Sequence, residues 1–348
     1  MCSLGLLAGL GGCSGSEPDP SSAGGNSGGP SGGSSSGTGG SGGSATSGGG
    51  TGGGSAIPDV VVGTFQVEMT IPDDAPDSWR TSVVGKVSDG ISPQSIVWDP
   101  GIPDGDCWLE KPRAPFCSEG CGTEVCVEDD VCLGYPTGHS VGEVTLSGVA
   151  LVGGGTELLL KEVSKTYQPS AGVMLADPPF GESDEVKLSA TGGDYTAFDM
   201  TALGISPLEV TSTDFELANG KALELTWEPA AHPLFSVVHV KIDISHHGGS
   251  RGLIQCDAVD DGALTVSAAL VSELIGLGFA GFPTLVMTRT SRDSAQLAPG
   301  RVELVLAAKV EQPVTIEGLI SCSGGDPEPG APPECPTGTT CQDDLKCE

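Results

Sequence analysis

The sequence predicts an all-β body, an antiparallel β-sandwich carrying small disulfide-rich modules, behind a disordered Gly/Ser linker. Three observations carry that prediction: segments in which apolar and polar residues alternate, turn dipeptides between them, and cysteines crowded into two places. The helical periodicity that βαβ units require is confined to one short stretch.

In chain order the linker comes first. Residues 14–56 are dominated by Gly, Ser, Thr and Ala, and Glu17 and Asp19 are their only charges. Such a composition buries too little apolar surface to offset chain entropy, so the tract reads as a tether. As a Gly-rich coil it spans about 35–40 Å. From Ile57 onward the pattern is β. Phe65–Ile71, Thr81–Val87, Val144–Leu146, Tyr195–Met200, Leu223–Trp227 and Val302–Leu306 alternate, and Val238–Ile244 sets its aliphatics on one face. Asp89-Gly90, Asp104-Gly105, Gly192-Gly193, Asn219-Gly220, Asp261-Gly262 and Pro299-Gly300 supply turns between strands. Ser267–Leu277 is the helical segment, with Leu270, Leu274 and Leu277 on one side. The apolar run Ala268–Met287 reads as a buried helix, a loop and a core strand; Glu273 and Pro283 oppose a membrane span. The expected division is a signal peptide over 1–12, a lipidated cysteine and tether over 13–56, and an N-terminal β-segment over 57–106. A cysteine-rich module over 107–135, a sandwich domain over 136–322 and a cysteine-rich tail over 323–348 follow.

Charge narrows the partners. The chain holds 46 Asp+Glu against 15 Lys+Arg, a formal net charge of −31, with no basic patch along it. Nucleic acid and anionic headgroups are repelled by such a surface. Acidic clusters at Asp104 and Asp106, Glu128-Asp129-Asp130, Asp257 with Asp260-Asp261, and Asp343-Asp344 lie in predicted turns, which Asp favours. None has the twelve-residue calcium loop, and calcium is the only cofactor these oxygens leave open. Two apparent motifs fall in the tether, Gly33-Ser34-Ser35-Ser36-Gly37 and Gly48, Gly50 with Gly53. Both chemistries need a strand before and a helix after, and the tether offers neither. Among histidines, His239, Asp243 and His247 alternate onto one face of a predicted strand and are the candidate metal ligands. A solvated polar face is the simpler reading, and His139 and His232 sit in loops. Aromatic residues make up 4% of the chain, few for a glycosidase cleft. No catalytic constellation is expected, so the sequence reads as a non-enzymatic binding, adhesion or envelope-structural module. The alternatives are a hydrolase or metal-dependent enzyme on the exported side, or a calcium- or carbohydrate-binding module.

Of 12 cysteines, setting aside Cys2 and Cys13 leaves an even number, which reads as a disulfide framework. Cys107, Cys117, Cys121, Cys126 and Cys132 crowd together; Cys256, Cys322, Cys335, Cys341 and Cys347 follow. An internal repeat aligns the segment Cys121 to Cys132 with the segment Cys335 to Cys347. Zinc is the competing reading, but the spacings lack paired Cys-x-x-Cys. If the modules correspond in order, alternate pairing joins Cys117 to Cys126, Cys121 to Cys132, Cys322 to Cys341 and Cys335 to Cys347. Cys107 and Cys256 then remain for a bridge closing a long loop.

Leu4-Gly5-Leu6-Leu7-Ala8-Gly9-Leu10-Gly11-Gly12-Cys13 is a short apolar run ending in small residues. Leu10-Gly11-Gly12-Cys13 resembles a bacterial lipobox, whose cysteine becomes the lipidated first residue of the mature chain. Residues 1–12 hold no Lys or Arg, so the expected translation start lies upstream of Met1. Together with the Gly/Ser stalk, Cys107-Trp-Leu-Glu-Lys-Pro-Arg-Ala-Pro-Phe-Cys117, the Cys-x-x-Asp-Asp pattern and Cys335-Pro-Thr-Gly-Thr-Thr-Cys341, the chain resembles the cysteine-rich surface lipoproteins of myxobacteria. The resemblance implies an outer-membrane or cell-surface location, a membrane partner reached through the lipid on Cys13, and a cell-surface protein or glycan as ligand. Radiolabelled palmitate is expected to enter the native chain and to be absent from a Cys13→Ala variant, which leaves the membrane fraction. Equal retention of both proteins defeats the assignment.

Overall fold

Strands form where apolar side chains recur at every second position. In β1 (Val61–Thr70), Phe65, Val67 and Met69 are buried while Gln66, Glu68 and Thr70 face outward. The computed structural model describes residues 60–71, 78–245, 249, 251–319, 335, 338–341 and 347, all within one unit, Ala56–Glu348. The remaining strands of its first half are β2 (Arg80–Val87), β3 (Val97–Pro100), β4 (Cys107–Arg113), β5 (Val125–Glu128), β6 (Val131–Leu133), β7 (Val144–Ser147), β8 (Glu157–Val163) and β9 (Thr166–Pro169). Then come β10 (Glu185–Ala190), β11 (Phe198–Leu203), β12 (Glu216–Leu217), β13 (Leu223–Thr226), β14 (Val237–Asp243), β15 (Leu253–Val259) and β16 (Ala263–Val266). The chain closes with α1 (Ala268–Gly276), β17 (Thr284–Gln296), β18 (Arg301–Pro313) and β19 (Thr315–Ile316).

One sheet of 13 strands runs β11-β10-β7-β8-β9-β2-β1-β18-β17-β14-β15-β4-β3. Its pairings are antiparallel except for β1 against β18, and it folds back so that β11 packs across β17 and β18. The result is a two-layer β-sandwich in which β11, at one end of that order, lies over β17 and β18 in its middle. Phe65, Leu146, Leu188, Met200, Val240 and Leu306 lie in the single core between the layers. Across the layers, Thr201 donates its backbone N–H to Asp293 at 2.7 Å. The sheet runs across the expected division of the chain: β1 and β2 lie mid-sheet and β4 pairs with β15, so these strands belong to the same sheet as β14, β17 and β18.

The helix forms at the expected place. Ser267 caps it by accepting the Leu270 N–H at 3.2 Å, and Leu270, Val271 and Leu274 are buried. The Tyr195–Met200 alternation gives a strand only from Phe198. A tight turn in which Gly193 N–H donates to Tyr195 O holds Tyr195 in the loop, with Gly192 at φ +90°.

The core contains one ion pair that alternation does not announce. Arg289, on the inward face of β17, is 1% exposed, and Asp260 is 0% exposed. The guanidinium donates to both Asp260 oxygens, at 2.6 Å from Nε and 2.9 Å from Nη2. Its other donors reach Ser206 Oγ at 2.9 Å, Pro207 O at 3.0 Å and Glu228 O at 2.5 Å. Trp227 Nε1 and Ser236 Oγ complete the shell of Asp260, at 2.8 and 2.6 Å. Asp260 is therefore an internal tie rather than part of an exposed acidic turn. Burial pushes its carboxyl up, but the Arg289 and Ser236 hydrogen bonds outweigh this and hold it below the usual carboxylate range. An Asp260→Ala substitution strands the guanidinium in the core and is expected to cost about 3–5 kcal/mol. Urea unfolding checks this, and a loss under 1 kcal/mol contradicts it.

Candidate functional site

The cysteine module is a hairpin, β5 against β6, pinned twice. Cys117 is bonded to Cys126 and Cys121 to Cys132, while Cys107 is bonded to Cys256, its direct opposite in the β4–β15 register. Cys335 is bonded to Cys347, and Cys341 is also in a disulfide. These coincide with the pairs the repeat implies; Cys322, the partner expected for Cys341, lies outside the described residues. The Cys117, Cys121 and Cys132 sulfurs lie within 4.8 Å of one another because two bridges stack, and each sulfur is committed to a bond. The acidic pair at the hairpin tip closes the module. Asp129 accepts the Phe116 N–H at 3.0 Å, and Asp130, at φ +60°, accepts the Ser118 N–H at 2.8 Å and its hydroxyl at 2.7 Å. These hydrogen bonds hold the Asp130 carboxyl below its ordinary range.

The candidate metal ligands do not converge. His239 and Asp243 both face outward on β14, but four residues of strand separate them by about 13 Å. His239 Nδ1 sits 2.8 Å from Asp257 Oδ1, and Asp243 Oδ1 accepts the N–H and hydroxyl of Ser245 at 2.8 and 3.1 Å. His247 lies outside the described residues, as does Cys13. The His239 hydrogen bond lowers the Asp257 carboxyl against the opposing push of burial.

A denser polar cluster forms around His139, where sequence reasoning found no signal. Its Nδ1 lies 3.3 Å from Asp194 and its Nε2 3.5 Å from Asp89, and its ring packs on Tyr195 at a centroid distance of 5.1 Å. Asp89 also accepts the Thr137 N–H at 2.7 Å, and Asp194 the Ser140 N–H at 2.8 Å. The Ser140 hydroxyl donates to Glu162, and buried Tyr167 bonds the Val141 N–H through its OH at 2.7 Å. The loops approach this closely because Gly142, at φ +81°, has no side chain to strike Gly192. Ser140 answers to Glu162 rather than to His139, so the cluster lacks the relay that activates a nucleophile. It ties the chain leaving the cysteine module to the β10–β11 loop.

A concave feature lies where β2 begins. An open cleft of about 610 Å³ is lined by Ser78, Trp79, Arg80, Thr81, Met174, Leu175 and Asp177. Trp79 packs partly against the core while Met174 is 63% exposed on the opposite wall. Thr81 Oγ1 donates to Asp177 Oδ1 at 2.6 Å, which fixes the carboxylate across the cleft. Indole, guanidinium, carboxylate and hydroxyls thus share one concavity, an arrangement suited to binding a small polar ligand. Sequence alternation placed Thr81 on a strand, but only the fold brings residues 174–177 beside it. No protein-family model matches the chain, and no curated protein shows significant similarity to it.

Backbone N–H bonds lower Asp89 and Asp194 from the ordinary carboxylate range. A depressed folded-state pKa gives stability that is present above the unfolded value, about 3.9, and is lost as pH falls through the folded value. The thermal midpoint of the native chain is therefore expected to drop below pH 4 more steeply than that of an Asp194→Asn variant. Parallel curves for the two proteins contradict the assignment.

Proposed function

We propose that this chain is a lipid-anchored, surface-displayed binding module that takes a neutral carbohydrate in the Trp79–Asp177 cleft. The cleft carries the reading: its volume falls within the range of small-ligand sites, and its groups suit a sugar. An indole face packs against sugar C–H groups. Asp177, oriented by Thr81, accepts from hydroxyls, and Arg80 donates to ring and hydroxyl oxygens. The field of a chain at −31, with Asp177 in the wall, favours uncharged over acidic saccharides. Anchoring rests on the lipobox resemblance, and the tether supplies reach.

Position supports display. The linker joins the body at Val60, where β1 starts, whereas Arg80 pairs with Thr70 at the far end of β1, about 30 Å away. A body attached at one end thus carries its cleft at the other. On a glycan array, the full chain is expected to select neutral glycans, with Trp79→Ala and Asp177→Ala each weakening binding at least tenfold by titration calorimetry. Retention of full affinity by both variants sinks the cleft as the site.

A further inference from the structure

The Met174 wall of the cleft carries more than polar groups. Leu151 and Leu175 are bridge partners, and their neighbours complete a short antiparallel ladder: Val152 N–H donates to Met174 O at 2.9 Å, and Ala176 N–H donates to Ala150 O at 2.8 Å. Directly opposed residues of such a ladder share one side, with Cβ atoms about 5 Å apart. The two leucines turn inward, Leu175 being buried and Leu151 packing partly against the core. Met174 and Val152 therefore stand together on the other side, 63% and 64% exposed, and Met174 lines the cleft.

This apolar lip is both fixed and open. The turn after Val152 runs through Gly153, Gly154 and Gly155 at φ +93°, +100° and +111°, a backbone region that favours glycine. Gly154 N–H donates to Leu151 O at 3.0 Å, and Leu151 N–H to Gly155 O at 3.1 Å. A Cβ placed at Gly153 or Gly154 would meet no atom within 4 Å among the described residues, so the turn is not crowded. A lip held in this way needs little ordering when a ligand arrives.

Lip and polar end belong to one segment. Thr81 Oγ1 lies 3.2 Å from Ala176 O as well as 2.6 Å from Asp177 Oδ1, so β2 fixes the segment in place. From Asp177 back to Met174 is three residues of extended chain, about 10 Å. A sugar whose hydroxyls meet Asp177 directs a substituent on its far side toward Met174 and Val152. The ligand of the cleft is thus itself the cover for the lip, and the gain from removing these side chains from water is realised only when that substituent is apolar.

We propose that the cleft takes a neutral sugar carrying an apolar substituent, an alkyl or aryl aglycone, with Met174 and Val152 as the subsite for that substituent. The inference rests on the carbohydrate reading of the cleft and narrows it. An anionic amphiphile such as a fatty acid meets Asp177 in the wall and a net charge of −31, so the polar head must be uncharged.

The test is titration calorimetry of the full chain with methyl and n-octyl β-glucosides and β-galactosides, each below its critical micelle concentration. An octyl glycoside is expected to bind at least tenfold tighter than its methyl counterpart, with a more negative heat-capacity change, the mark of apolar burial. Val152→Ser, at an exposed position, is expected to keep the methyl-glycoside affinity and the thermal midpoint while the octyl-to-methyl ratio falls at least threefold; Val152→Leu keeps the ratio. Equal affinity for octyl and methyl glycosides overturns the subsite and leaves the sugar site standing. A ratio unchanged in Val152→Ser overturns it too, as does octyl binding at full strength in Asp177→Ala, because the chain then adsorbs elsewhere. If no methyl or octyl glycoside binds, the carbohydrate reading of the cleft fails and the subsite falls with it.

Discussion

Arg289 is a cation on the inward face of a strand, and much of one end of the molecule is arranged around satisfying it. A guanidinium taken out of water is tolerated only when its donors all find acceptors. Here the acceptors come from three separate places in the chain: Ser206 and Pro207 after β11, Glu228 after β13, and Asp260 after β15. Ser236, ahead of β14, joins through Asp260. Segments far apart in the chain are thus brought to one point, the β13–β16 and β14–β15 pairings carrying Glu228, Ser236 and Asp260 toward it. Their closure is coupled to the sheet fold itself, since Arg289 is positioned by β17, the long strand that pairs with both β14 and β18.

The cysteine module is held by different means. Around the cysteine module there is little core to bury, and two stacked bridges with the Asp129 and Asp130 hydrogen bonds take its place. The Cys107–Cys256 bridge ties β4 to β15 across 149 residues of sequence. Loop-closure arguments assign such a long bridge a contribution of about 4–5 kcal/mol. It also keeps β4 in register, so the module that follows starts from a fixed edge of the sandwich.

How much of this the sequence discloses depends on whether the signal is local. Alternation in Phe65–Ile71 and Val238–Ile244 marks strands because burial on one sheet face is a period-two property. Ser267 before Leu270 and Leu274 marks a capped helix because the N-cap hydroxyl and the 3.6-residue period are local signals too. The parallel pairing of β1 with β18 leaves no local trace, since the partners lie more than 230 residues apart. Nothing local in the sequence therefore marks β1 and β2 as mid-sheet strands. Asp260 does lie in the turn that its Asp-Asp-Gly triplet marks, but such a triplet looks solvated and gives no local sign that the carboxylate is buried. Only its neighbour Asp261 and Gly262 behave so, with Gly262 at φ +101°. The cysteine pairs were legible because repeated spacing constrains which cysteines can meet. The His139 cluster and the cleft were not, because each is assembled from segments tens of residues apart.

The ends of β1 organise what the molecule can do. At its start, Val60 accepts from Arg301 and the linker joins, beside the hairpin between β17 and β18. The Arg289 node lies nearer its finish, since Arg289 pairs with Ala308 and Ala308 with Met69. At its finish, Thr70 pairs with Arg80 and the cleft opens. A cleft built on an indole, a guanidinium and a carboxylate needs water and diffusing ligand. The length of β1 therefore sets the cleft apart from the point where the linker joins.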